Sequence, residues 1–410
     1  MSEQAAAADS NPPFNPFSPE FVRNPYPSFH RLRADEPMHK SMLGFWVASR
    51  YEDVAKILKD RRCGKGFVER TKQRYGPNAM DEPIFASMRH WMLVQDPPDH
   101  SRLRGLVAKA FTARQVESWR PRIRALVSEL LDSVEERGEM DFIRDFAYPL
   151  PFNVICDILG IPAADRGRFV ENTAVSGRVI DPTPMTREEL DSANEKYLDV
   201  IAYFRDLFAR RRETPSDDLT TLLVQVEEEG DRLSEEELVG NVFLLFGAGH
   251  ETTVNLIGNG MLALLSHPEQ WATLKANPDL VPGAVEEMLR FDSSVQMTGR
   301  VALEDMDVGG VSIAKGEFII CLLGAANRDP ETFVEPDTFD VSRPDVKPQS
   351  FGGGIHFCLG AQLARIEAEE AFRALIERLP DLTLAAPDVV EWRPTFTLRG
   401  LTSLPVTWSG

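Results

Sequence analysis

The sequence predicts a mainly α-helical protein of the α+β class, with small β-sheets set around one long central helix. Three observations carry this reading. Residues 234–266 contain no proline and are apolar on most sides, through Leu238, Phe243, Leu244, Phe246, Val254, Leu256 and Ile257, as a buried helix must be. Helical periodicity recurs over 99–131, 142–159, 186–212, 277–291 and 361–375. Strand-like alternation is confined to short stretches, at 45–48, within 301–324 and within 382–408.

Taken in order, residues 1–19 are neutral to acidic, with Asn11-Pro12-Pro13, and read as a flexible arm ahead of a single domain over 20–410. They hold neither a basic start nor a long apolar run, so no signal peptide or membrane anchor is expected and the protein is expected to be cytoplasmic. Asn24-Pro25-Tyr26-Pro27 is a turn, 28–34 a short helix, and 49–58 a helix after the first strand. Residues 64–92 have weak periodicity and read as loops. The helical pattern over 99–131 breaks near Phe111-Thr112. That over 142–159 stops at Gly160-Ile161-Pro162. Residues 164–179 and 186–212 are two helices joined at Asp181-Pro182-Thr183-Pro184, followed by a short helix at 219–228. In the central helix Ser234 and Glu237 form a capping box, and His267-Pro268 ends it.

Composition sets limits. A chain of 410 residues with 43% hydrophobic and 27% charged residues can bury a large core. The net charge of −19 argues against a general nucleic-acid binder. Four widely spaced cysteines form neither a disulfide framework nor a zinc-ligand spacing.

Chemistry concentrates in two places. The first is Phe351-Gly352-Gly353-Gly354-Ile355-His356-Phe357-Cys358-Leu359-Gly360, a glycine-loosened loop that delivers Cys358 just before a helix. Backbone N–H donors and a helix N-terminus lower a thiol's pKa, which suits a metal ligand. Cys63, Cys156 and Cys321 read as buried filler. The second is the middle of the central helix, Ala248-Gly249-His250-Glu251-Thr252-Thr253, where a buried carboxylate needs a partner or a task. His250-Glu251 begins like the zinc-protease motif His-Glu-x-x-His, but Val254 stands where the second histidine is required. Elsewhere, His100 and Arg104 share a helix face, as do Glu287 and Arg290.

The loop matches Phe-x-x-Gly-x-His-x-Cys-x-Gly at every position, and 248–253 match [Ala/Gly]-Gly-x-[Asp/Glu]-Thr-[Thr/Ser]. With His100-x-x-x-Arg104, Glu287-x-x-Arg290 and Arg300-Val301-Ala302 in the same chain order, the sequence resembles the soluble bacterial cytochromes P450 over nearly its whole length. The resemblance implies a single-domain P450 fold around haem b, with Cys358 as the axial iron ligand. It places His100, Arg104, Arg300 and His356 at the propionates, and Ala248 and Gly360 against the cofactor. It makes Glu251 and Thr252 the pair that delivers protons to dioxygen, although Thr252 could instead bond back to the carbonyl of Ala248. Glu287, Arg290 and Arg343 become a buried network.

The implied activity is monooxygenation, hydroxylation or epoxidation, of a small and largely apolar molecule. Met92, Val94, Phe243, Leu244, Val295, Gln296, Met297 and Phe396 are candidate contacts, with Arg178 a second polar anchor beside Gln296. No segment is left over for a flavin or nicotinamide domain, so a ferredoxin and its reductase, fed by NADH or NADPH, are the expected electron source. Arg102, Lys109, Arg114, Lys347 and Arg365 are candidates for the docking patch, and a monomer is expected. Peroxide-driven oxidation, oxidative coupling and a non-catalytic haem carrier are the alternatives; the intact Glu251–Thr252 pair argues against the first and the last.

Overall fold

The central helix spans Glu235–Ser266, and its start is fixed locally. Ser234 accepts from the Glu237 N–H while the Glu237 carboxylate accepts from Ser234 N–H, satisfying donors that a helix end leaves open. In this computed structural model, which describes residues 14–42, 44–170, 178–181, 184–228, 231–386 and 390–409, the helix is buried along most of its length. The helices Pro149–Ile158, Arg187–Glu213, Val281–Phe291 and Ala361–Arg378 pack around it. Gly260 is where packing is tightest: a Cβ there would sit 2.7 Å from the Met288 sulfur and 3.0 Å from the Phe372 ring. The helix-weakening glycine is thus offset by close approach of two neighbouring helices.

The sheets are peripheral. The largest has five strands in the order Met38–Lys40, Trp46–Ala48, Phe318–Leu322, Met297–Ala302 and Cys63–Gly64. Ile319 lies opposite Arg300 in its antiparallel centre. A three-stranded sheet joins Thr383–Leu384, Pro405–Thr407 and Glu139–Asp141, so the C-terminal segment returns to the middle of the chain.

Several sequence expectations shift. Residues 64–92 are largely helical, with helices Phe67–Tyr75 and Pro83–Met88. Their periodicity is weak because part of their inner surface faces a cavity rather than packed side chains. The helix expected over 142–159 is divided into a π-turn at Ile143–Ala147 and a helix Pro149–Ile158, with Pro149 and Pro151 withholding N–H donors at the junction. The helix after Asp218 ends at Gln225 rather than continuing to Glu228. Residues 171–177 of one expected helix, and Pro182 and Thr183 of the following turn, lie outside the described residues. The arm reading fails at its inner end: Phe14 is buried, with its ring centroid 5.8 Å from Phe21 and 5.6 Å from Phe396.

Beneath the sheet, the Glu287 carboxylate is wholly buried and holds two guanidinium groups. Arg290 donates to both its oxygens at 2.7 Å, and Arg343 Nε lies 3.1–3.2 Å from the same pair. The arginines then reach backbone carbonyls: Arg290 those of Asn327, Pro336 and Thr338, Arg343 those of Val334, Glu335 and Thr338. An extended segment with little regular structure is thereby hydrogen-bonded to a helix. Because removing one member strands a buried charge, Glu287→Ala should cost about 3–5 kcal/mol. Denaturant unfolding of the purified variant, or its loss from the soluble fraction, measures this; a loss below about 1 kcal/mol contradicts it.

Candidate active site

The loop that presents Cys358 to a cavity is tied at several points. Asn327 Nδ2 donates to Ser293 Oγ at 2.7 Å and Ser350 Oγ at 2.8 Å, and Asn327 Oδ1 accepts from Gln349 N–H at 2.6 Å. The Cys358 N–H closes the loop on the Phe351 carbonyl at 3.0 Å. Gly354 has φ +65°, and a Cβ there would lie 2.2 Å from the Leu58 carbonyl oxygen, so only glycine fits. Arg104 Nη2 donates to the Phe357 carbonyl at 2.6 Å, next to the cysteine.

The thiol lines a cavity whose opposite wall is the central helix at Ala248, Gly249 and Thr252. Its pKa differs from expectation. Burial raises it, and the Gly360 N–H, Arg104 and Arg365 oppose that only in part. A cation at the sulfur would favour the thiolate and complete the site.

The cavity's rim gathers basic side chains, opposed among the described residues by Asp96 and by Glu367, which lines the cavity with its carboxyl pushed by burial towards the neutral form and one oxygen unpartnered. His100 and His356 stand 4.3 Å apart, ring to ring; both ring nitrogens of His100 and Nε2 of His356 are buried without hydrogen-bond partners. Lys65 and Arg300 line the same cavity, and burial pushes both below their ordinary pKa, Lys65 strongly. Burial, then Arg104, moves His100 to about 4 despite the opposing Asp96 carboxylate. Asp96 itself accepts backbone N–H groups of Lys65 and Gly66. A flat apolar group with acidic substituents and a thiol-seeking metal fits this donor set, which is what haem b presents. Cys358, His356, Gly360, Arg104, Arg300 and Ala248 all line the cavity, and His100 abuts it through His356.

On the opposite wall, Thr252 Oγ1 donates to the Ala248 carbonyl at 2.8 Å, the back-bond that the sequence left open. Glu251 pairs with Arg393 at 3.0 Å, a residue that carries no motif in the sequence. Burial raises the Glu251 pKa while the Arg393 charge and hydrogen bond oppose it. Thr252, Ala248, Leu244, Val295 and Lys65 also line a second cavity of about 340 Å³, which extends away from Cys358.

The expected substrate contacts divide. Val94, Leu244, Val295 and Met297 line the outer cavity, while Met92 lines the one at Cys358. Four expectations fail. Phe243 points away, packing on Trp91 and Tyr197 with centroids 5.6 Å and 5.1 Å distant, because one helical step separates it from Leu244. Gln296 is buried behind the wall and donates to the Ser293 carbonyl at 2.7 Å. Phe396 is covered by Phe14 and Phe21, leaving Thr397 and Leu398 to face the cavity. Arg178 is held by Glu189 at 3.0 Å and the Pro184 carbonyl. Of the expected docking cations, Arg102 is committed to Glu237 and Asp231 and Arg365 to Glu286. Arg114 and Lys347 are exposed.

A thiol facing an acid–alcohol helix across one haem-fitting cavity defines a haem-thiolate enzyme. The comparisons name the family. The cytochrome P450 family model matches residues 42–380, and the chain belongs to that family. It is 41% identical to a putative cytochrome P450 133B1 of Xylella fastidiosa, over 95% of this chain and 97% of that one. It is 44% identical to the biotin biosynthesis cytochrome P450 of Bacillus subtilis, over 95% and 98% respectively. The crystal structure of P450BioI in complex with hexadec-9Z-enoic acid-ligated acyl carrier protein superposes with a TM-score of 0.89 at 43% identity, covering 95% of this chain and 99% of that one. The protein is a cytochrome P450 monooxygenase that uses haem b, and no described helix is long and apolar enough to cross a membrane.

Arg300→Ala and Lys65→Ala should each speed haem loss about tenfold, since each removes a charge-assisted partner of an acid. Haem transfer to apomyoglobin gives the rate; unchanged rates in both variants place the propionates elsewhere.

Proposed function

We propose that this P450 inserts one atom of dioxygen into a C–H or C=C bond of a largely apolar small molecule bound in the outer cavity. The carrying observation is that Cys358 and Thr252 line opposite walls of one cavity, which continues into that chamber. Cys358 would bind the iron of the haem; His100, His356, Arg300, Lys65 and Arg104 would meet its acidic groups, and Ala248 and Gly360 would lie against it. Haem b, bound through Cys358, supplies the redox-active iron at which dioxygen is reduced.

The chain's own residues do the rest. Thr252 donates its hydroxyl hydrogen to Ala248, so its oxygen remains free to accept from a water in the cavity and to place it. Glu251, its pKa raised by burial, can hold a proton, and Arg393 ties it to the C-terminal segment. The apolar walls exclude bulk water, which limits reduction of dioxygen without product. The balance for hydroxylation is one C–H bond, one dioxygen, two electrons and two protons giving one C–OH and one water. The electrons come from a separate ferredoxin and its reductase. The acyl chain on the carrier protein bound to P450BioI supports an elongated apolar substrate.

Thr252→Ala should retain haem and substrate binding but consume reductant with hydrogen peroxide in place of most product, because no hydroxyl then places the relay water. Product formed per reductant consumed is the measurement; full coupling in the variant removes the hydroxyl from the mechanism. Cys358→Ser should abolish both oxygenation and the red-shifted Soret band of the reduced carbonyl complex, and retention of that band overturns the axial assignment.

A further inference from the structure

The outer cavity is apolar over most of its lining, with Phe67, Tyr75, Phe85, Met88, Trp91 and Val179 in its walls. Its volume of about 340 Å³ is within the range of small-molecule sites. Two arginines interrupt this surface. Arg70 and Arg74 stand one turn apart on the helix Phe67–Tyr75, and both line this cavity but not the one at Cys358.

Neither guanidinium is neutralised in the usual way. Among the described residues, the Arg70 guanidinium has no hydrogen bond and no ion pair; it lies over the Phe318 ring, 3.0 Å from the centroid. Gly299 makes that stacking possible, since a Cβ there would sit 2.5 Å from Phe318. Arg74 donates once, from Nη1 to the Asp181 carbonyl at 3.0 Å, and its Nε and Nη2 are buried with no acceptor. The Asp181 carboxylate is near enough to attract Arg74 but accepts the N–H groups of Phe396 and Thr397 at 3.3 Å. The carboxylate that does line the cavity, Glu251, is bound to Arg393. Burial lowers Arg70 to about 10, reinforced by Arg74, with no acid opposing. Most of this chain's arginines sit in ion pairs, so two open guanidinium groups on an apolar wall are a departure that calls for an acceptor.

We propose that the substrate is an elongated apolar acid whose carboxylate docks between Arg70 and Arg74 while its hydrocarbon end extends to Thr252 and the Cys358 side. This rests on the monooxygenase reading and adds the substrate class. Planar guanidinium groups match a carboxylate with paired hydrogen bonds, and stacking on Phe318 presets the orientation of Arg70. Anchoring one end fixes which carbons reach the reacting side, so oxidation is confined to the chain remote from the acid.

The test is a titration of the holoenzyme with dodecanoic acid and with methyl dodecanoate, read by the haem spin-state shift that follows expulsion of the distal water. The acid should bind about tenfold to a hundredfold more tightly than the ester, since one to two charge-assisted hydrogen bonds are at stake. Arg70→Gln should erase that preference by weakening the acid alone, and Arg70→Lys should restore part of it. Equal affinity of acid and ester for the wild-type enzyme overturns the proposal, as does an unchanged preference in Arg70→Gln. Absence of any shift with the acid overturns it too. The monooxygenase reading survives each of those outcomes, because it is read separately from the Cys358-dependent Soret band and from oxidation of uncharged substrates.

Discussion

One buried carboxylate carries much of the site's geometry. Glu287 has no access to solvent, and its charge is tolerable only because Arg290 and Arg343 both reach it. Those arginines in turn bind the carbonyls of Asn327, Val334, Glu335, Pro336 and Thr338, which have no strand or helix to satisfy them. Asn327 is then set to hold Ser293, Gln349 and Ser350, and the last two lead directly into the cysteine loop. A pair that is worth little on a helix surface becomes, when buried, the support for a loop that must present one sulfur accurately.

The two walls of the cavity differ in kind. The Cys358 side is fixed by backbone: a closed loop, a glycine no other residue can replace against Leu58, and an arginine on the carbonyl before the cysteine. The opposite side is a regular helix whose hydrogen bonds stay intact through Thr252. Between them acids are outnumbered among the described residues: Lys65, Arg104 and Arg300 line the space against Asp96 and a Glu367 whose carboxyl burial pushes towards the neutral form, and both ring nitrogens of His100 are buried without partners. Such a deficit is unstable in the protein alone and is removed by an acidic cofactor, so cofactor binding and folding of this region are coupled.

The sequence exposed what is local and concealed what depends on the cavity. The capping box of the central helix, its end at His267-Pro268 and the cysteine loop are short-range signals and appear as read. The Glu287 network was legible only through resemblance, because spacing alone does not distinguish a buried pair from a surface one. The errors share a cause. Residues 64–92 look irregular since their inner face borders a cavity, and nothing in the sequence marks Arg70 and Arg74 as facing it. Phe396 looked like a substrate contact and Phe14 like part of an arm, yet each buries the other. Phe243 and Leu244 are adjacent and equally apolar, and only helix phase separates core from wall. The Cys358 pKa went wrong because donors visible in the sequence were weighed without the burial that opposes them.

Proton supply and substrate fit are joined through the C-terminal segment. Arg393, which binds Glu251, lies just before Thr397 and Leu398, which line the outer cavity. The intervening chain is held tightly: Arg393 N–H donates to the Gly400 carbonyl at 2.9 Å, and a Cβ on Gly400 would overlap the Asn255 side chain of the central helix at 1.9 Å. Thr397, Leu398 and Arg393 thus belong to one short, tightly held segment, and Arg393 opposes the rise that burial gives the Glu251 pKa. Burial outweighs Arg393 in the present arrangement, so the net shift at Glu251 is upward and Arg393 only moderates it. The segment that shapes the chamber through Thr397 and Leu398 therefore also supplies the charge paired with its acid.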